Sequence, residues 1–123
     1  MPALNFHSQF APMVESGQKC QTIRAERKRP IYINDTLYLY TGLRRPGARL
    51  LKTAVCREVL LFEIYLSGEK AGIWVGGTRL GARRRRALAV DEGFATVDDL
   101  VAWFQRTHGL SAKRMFRGHL IRW

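Results

Sequence analysis

Within the run Gly17-Gln18-Lys19-Cys20-Gln21-Thr22-Ile23-Arg24 stand an amine, a hydroxyl and a guanidinium that could act together. A threonine hydroxyl is a useful nucleophile only beside a base. A lysine amine serves as that base once burial or neighbouring cations lower its pKa. The run starts where a helix is expected to stop and continues into a strand, and such a junction can aim Lys19 and Thr22 at one point. By spacing alone, a solvated lysine, an ordinary strand threonine and a surface arginine are the simpler reading. Cys20 is a second candidate nucleophile, placed below Thr22 because a cysteine there is more often a small buried hydrophobe.

Two basic clusters could hold phosphates: Arg27, Lys28 and Arg29 after the motif, and Arg83, Arg84, Arg85 and Arg86 further on. If residues 83 to 92 are helical, four arginines sit at the positive end of the helix and Asp91-Glu92 at its negative end, each opposing the dipole. The tract is therefore either loop to about Ala87 or charge retained for a partner. A solvated basic loop fits as well as phosphate binding. Of the aromatic residues, Trp74 and Phe94 have a context in which they could stack on a base. Trp103, Phe104, Phe116 and Trp123 are expected in the core. His7, His108 and His119 form no motif and are expected to be structural.

The elements that must position these residues are short. Leu4-Asn5-Phe6 reads as a strand, and Phe10, Met13 and Val14 give one helical face closed by Gly17. Lys19 to Arg24 and Thr36 to Tyr40 follow as strands. The run Leu50 to Leu66 is too long for one strand and is expected to bend or split near Arg57-Glu58. Gly76-Gly77 marks a hairpin within Ile73 to Leu80. Thr96-Val97-Asp98-Asp99 opens a helix that stops at Gly109, and Met115 to Trp123 reads as a last strand. The pattern predicts an α+β chain, a small β-barrel or curved sheet with two or three peripheral helices.

The 123 residues fit a single domain, 1–123, and 46% hydrophobic content with three Trp, six Phe and four Tyr excludes a disordered chain. No apolar run is long enough to span a bilayer, so no membrane partner and a cytoplasmic location are expected. The cysteines, Cys20 and Cys56, lie in no metal-binding or disulfide pattern; no metal and no cofactor are expected. A net charge of +11 favours polyanions without naming one.

Phe10 through Arg24, with Asp35-Thr36-Leu37-Tyr38-Leu39 and Glu92-Gly93-Phe94, resembles an ASCH domain, a small β-barrel related to the PUA fold. The likeness covers most of the chain. Family members carry G-x-K-x-x-[T/E]-x-R at the helix-to-strand junction, matched by Gly17, Lys19, Thr22 and Arg24. The threonine form is similar to that of the reduced bacterial enzymes that hydrolyse N4-acetylcytidine, in which a Lys, a Thr and a later Glu act together. The resemblance implies Thr22 as nucleophile, Lys19 as base and Glu92 as the carboxylate, with Asp91 its competitor. It also implies an acylated cytosine nucleoside as substrate. Arg24, Trp74 and Phe94 are the expected substrate-binding residues, with Arg24 stabilising charge or fixing the glutamate. An RNA-binding module or a ribonuclease, contacting RNA through the two basic clusters, is the alternative.

Overall fold

The computed structural model describes residues 2–68 and 70–123. Among them the chain forms eight strands and three helices. In order these are β1 (Ala3–Phe6), α1 (Ala11–Ser16), β2 (Gln21–Ala25), β3 (Thr36–Thr41), β4 (Arg49–Val55), β5 (Glu58–Ser67), β6 (Lys70–Val75), β7 (Thr78–Arg79), α2 (Ala82–Glu92), α3 (Val97–His108) and β8 (Phe116–Arg122).

Among the described residues the strands pair as two sheets, not as one closed barrel: β1-β3-β4 and β2-β8-β5-β6-β7. The division falls where the Leu50 to Leu66 run splits. Cys56 N–H donates to Asp35 O and Cys56 O accepts from Asn34 N–H, both at 2.8 Å, while Arg57 N–H donates to Arg122 O at 2.8 Å. One residue is thus tied to the turn before β3 and the next to β8. The chain changes sheets at this corner, with Cys56 wholly buried beneath it.

Each sheet has its own apolar filling. Phe62, Ile64, Ile73, Leu120 and Phe116 of the larger sheet pack on Leu88 of α2 and on Leu100 and Phe104 of α3. Leu4, Leu37, Leu39 and Leu51 of the smaller sheet pack on Val14 of α1 and on Ile121. Adjacent strand residues face opposite ways, so Leu120 and Ile121 serve different clusters. Phe94 and Trp103 touch both clusters and mark the seam between them.

The helix ends govern what reaches that seam. Thr96 caps α3 by accepting from Asp99 N–H at 3.1 Å. Two acidic residues occupy its first turn, which suits the dipole. α2 begins at Ala82, so all four arginines are helical, and no acid stands in the first turn. Of the two arrangements open to the tract, the loop to Ala87 is excluded. Gly93 ends α2 at φ 100°, where a Cβ would come within 3.0 Å of the Phe10 ring. Only glycine fits both the turn and the close approach.

Candidate active site

Lys19 follows the end of α1, where its N–H donates to Met13 O at 2.9 Å and the chain turns into β2. Glu92 is the last residue of α2, and the turn at Gly93 lets Phe10 lie against that helix end. The two side chains meet in the interior. Lys19 Nζ donates to Glu92 Oε2 at 3.0 Å and to Glu92 O at 2.6 Å, with the side chains 4% and 7% exposed. Burial drives the Lys19 pKa below its ordinary value against the opposing pull of Glu92, and the Arg24 charge adds to the lowering. The amine also stands 5.1 Å from the centre of the Phe10 ring.

Thr22 is buried on β2, and its Oγ1 accepts from Arg24 Nε at 3.0 Å. Arg24 is fixed on its other side by donating from Nη2 to Asn5 O at 2.7 Å, and it lies 4.7 Å above the Phe6 ring. Burial, with some help from Arg27, pushes its pKa down to about 10, so it remains a cation at neutral pH. Arg24 is therefore bonded to the threonine and not to the glutamate. Because the hydroxyl oxygen accepts from Arg24, its proton is left to be donated elsewhere.

Lys19, Thr22, Arg24 and Glu92 line one cavity of about 240 Å³ at the seam between the two clusters. Phe6, Phe10, Phe94 and Trp103 supply its apolar wall, with Phe10 5.4 Å from Phe94 and 5.3 Å from Trp103 in edge-on contact. The wall is apolar, and the charged groups of Lys19, Arg24 and Glu92 stand beside it. Comparison with known proteins returned no matching family model, no matching curated protein and no matching solved structure.

The motif residues are thus brought together, and the choice between neighbouring carboxylates is geometric: Glu92 is buried against Lys19, whereas Asp91 is exposed beside an outer cleft. Phe94 is at the cavity as expected. Trp74 is not: it stacks on Tyr65 at 4.6 Å on the β5–β6 hairpin, with Arg79 5.3 Å over its face, and does not line the cavity. Cys20 also lies off the cavity, its thiol donating to Gly17 O at 3.0 Å.

The basic residues are dispersed. Arg27, Lys28 and Arg29 occupy the exposed loop after β2, and Arg27 borders a second pocket that shares Arg24 and Ala25 with the first. Arg85 donates to Ala71 O at 3.0 Å. With Arg86, Lys70 and Arg79 it lines a separate groove of about 490 Å³. Arg83 and Arg84 are exposed on the same helix.

Several cavity residues were not anticipated as such. Trp103, assigned to the core, forms part of the wall, as do Asn5, His7 and His108. His108 is packed 4.6 Å from the Phe116 ring, and burial with the nearby Arg24 charge lowers its pKa, which keeps it neutral at neutral pH. Nothing in their spacing could have united residues from β1, the segment after it and α3. Among the described residues, no group of three or more His, Cys, Asp or Glu is disposed to hold a metal ion, and no helix is long and apolar enough to cross a membrane.

Proposed function

We propose that this chain is an ASCH-like domain of the PUA type that hydrolyses the exocyclic amide of N4-acylated cytidines, releasing cytidine and the acid. The observation that carries the reading is the buried Lys19–Glu92 pair in the wall of the same cavity that Thr22 lines. In this scheme the Lys19 amine takes the Thr22 proton and Oγ1 attacks the acyl carbonyl. The Lys19 proton then passes to the departing cytosine nitrogen, leaving an acyl-threonine that water cleaves. Arg24, donating to Oγ1 at 3.0 Å, steadies the negative charge that grows as the proton leaves. Glu92 orients the lysine through Oε2 and its own carbonyl. Phe94, Phe10 and Trp103 hold the pyrimidine ring. The scheme draws on side chains alone and requires no cofactor.

The test is direct. Purified protein is mixed with N4-acetylcytidine and the ultraviolet change is followed as cytidine forms, with labelled RNA assayed under the same conditions. Turnover that Thr22→Ala abolishes supports the reading; no turnover with tight RNA binding replaces it.

A second reading, an RNA-binding module without catalysis, draws support from Arg83 to Arg86. They stand within the first five residues of α2, Arg83 to Arg85 in its first turn, where positive charge opposes the dipole by ~0.3–1 kcal/mol each when exposed. A ribonuclease would use the same surface. The two readings part on whether the cavity or the arginine surface is the working site.

A further inference from the structure

Side chains alternate along β2, so Gln21 and Thr22 face opposite ways. Thr22 lines the cavity, while Gln21 borders a separate polar cleft of about 450 Å³. Gln21, Arg122 and Glu58 form a row across three neighbouring strands, Gln21 opposite Arg122 in β2–β8 and Glu58 opposite Arg122 in β5–β8. The row is bonded throughout. Arg122 Nη1 donates to Glu58 Oε1 at 2.6 Å, and Arg122 Nε donates to Gln21 Oε1 at 3.2 Å. A guanidinium has donors only, so the end of the Gln21 amide that faces it must be the oxygen. The amide nitrogen must then face the other way. There Nε2 donates to Glu92 Oε1 at 3.0 Å, which leaves Glu92 Oε2 for Lys19 Nζ.

We propose that Gln21 is a positioning residue of the site: its amide, set by the Glu58–Arg122 pair, holds the Glu92 carboxylate with Oε2 aimed at Lys19. This inference rests on the Lys19–Thr22–Glu92 reading of the cavity. Gln21 touches neither the cavity nor a substrate within it, and acts through Glu92 alone. Glu92 is itself buried, at 5% exposure, and a buried carboxylate oxygen without a donor is costly.

The bond also governs how strongly Glu92 pulls on Lys19. A donor on Oε1 draws charge away from Oε2, so the lysine gives up its proton more readily than it would beside a bare carboxylate. The other groups facing Lys19 are Asp91 from α2, which favours the ammonium, and Arg24 from β2, which disfavours it. His7 and His108 stand at the cavity wall, and the Phe10 ring covers the amine from the start of α1.

The experiment follows the Lys19 Nζ signal by nitrogen-15 NMR across a pH titration in the wild type, Gln21→Met, Gln21→Glu and Arg122→Met. Thermal unfolding and N4-acetylcytidine turnover are measured on the same samples. Gln21→Met keeps length and removes the donor, and the Lys19 midpoint should rise by roughly one pH unit. Gln21→Glu, which adds a second carboxylate, should raise it further. Arg122→Met frees the Gln21 amide to turn and should raise it less. In Gln21→Met kcat should fall ~10- to 100-fold, with KM nearly unchanged, as expected for losing one hydrogen bond to a charged group. A purely structural role for Gln21 would lower the melting temperature without moving the Lys19 midpoint, and that result overturns the proposal. If Gln21→Met does not fold, an unmoved midpoint in Arg122→Met overturns it equally. A wild type that leaves N4-acetylcytidine intact refutes the amidohydrolase reading, while the titration still decides the role of Gln21.

Discussion

Replacing Glu92 with Gln tests whether Lys19 is held as a buried cation. The side chains are 4% and 7% exposed, so solvent screens the pair little. Removing one partner of such a pair costs about 3–5 kcal/mol, because the remaining charge is stranded. One feature reduces that here, the bond from Nζ to Glu92 O at 2.6 Å, which involves backbone and survives. A Gln side chain can still accept from Lys19 through its oxygen, but its NH2 group then faces the Gln21 Nε2 donor. About 2–3 kcal/mol remains. At ~3–6 °C per kcal/mol for a chain of this size, the melting temperature should drop by ~10 °C near neutral pH. The sign of the pH dependence follows from Lys19. Its folded pKa already lies below the ordinary lysine value of 10.5 through burial, and removing the carboxylate lowers it further. Between the folded and unfolded values the unfolded chain binds the extra proton, so stability rises with pH across that window. The deficit of Glu92→Gln should therefore be largest in mild acid and shrink as pH approaches 10.5. Thermal unfolding of wild type and variant at matched pH values measures it, with the exposed Asp91→Asn as a control that should lose little. A deficit that is flat in pH, or that grows with pH, would refute a charged Lys19 paired to Glu92.

Thr22→Ala and Lys19→Ala should each abolish most turnover of N4-acetylcytidine, and the double variant should be little worse, since nucleophile and base act as a unit; additive losses would separate them. Gly93→Ala should cost roughly 1–3 kcal/mol by calorimetry, because it forces a Cβ to φ 100° and against Phe10; an unchanged melting temperature would show that this helix end is not tightly held. Changing Arg83, Arg84, Arg85 and Arg86 together to Ser should flatten the salt dependence of RNA binding by up to ~0.7 for each phosphate no longer neutralised, while nucleoside hydrolysis survives. An unaltered slope would mean that the tract meets no phosphate.

Features set by neighbouring residues were legible in the sequence. Gly17 ends α1 in the left-handed region, Thr96 caps α3, and the long β run breaks at Cys56-Arg57, beside the expected Arg57-Glu58. Lys19, Thr22 and Glu92 were legible as a group only through a resemblance, since their convergence requires α2 to end against β2 some seventy residues away in the chain. What the sequence hid depends on pairing across the fold. Gln21 reads as an unremarkable strand residue until β8 brings Arg122 beside it, and Trp74 reads as a base-stacking candidate until Tyr65 takes its face. The arginine tract is undecided in the sequence because the dipole argues against a helix there. The burial of Leu88 and Ala89, and the Arg85 bond to Ala71 O, come from tertiary packing that local charge cannot foresee. Division into two sheets likewise follows from one corner at Cys56-Arg57, whose hydrogen-bond partners lie in segments distant along the chain.

Strand β8 lies between β2 and β5, so the strand that carries Thr22 and Arg24 has its partner about a hundred residues downstream. During synthesis β2 leaves the ribosome with its ladder groups open and must wait while the strands and helices from β3 to α3 emerge. For that interval β2 and β5 both present bare edges, the condition under which a nascent chain pairs wrongly or with its neighbour. Gly118 adds a tight requirement at the moment of insertion: a side chain there would collide with the Arg24 carbonyl, so β8 enters only with that position bare. Thr22 and Arg24 therefore gain their ladder partners, Ile121 and His119, only when β8 closes the larger sheet.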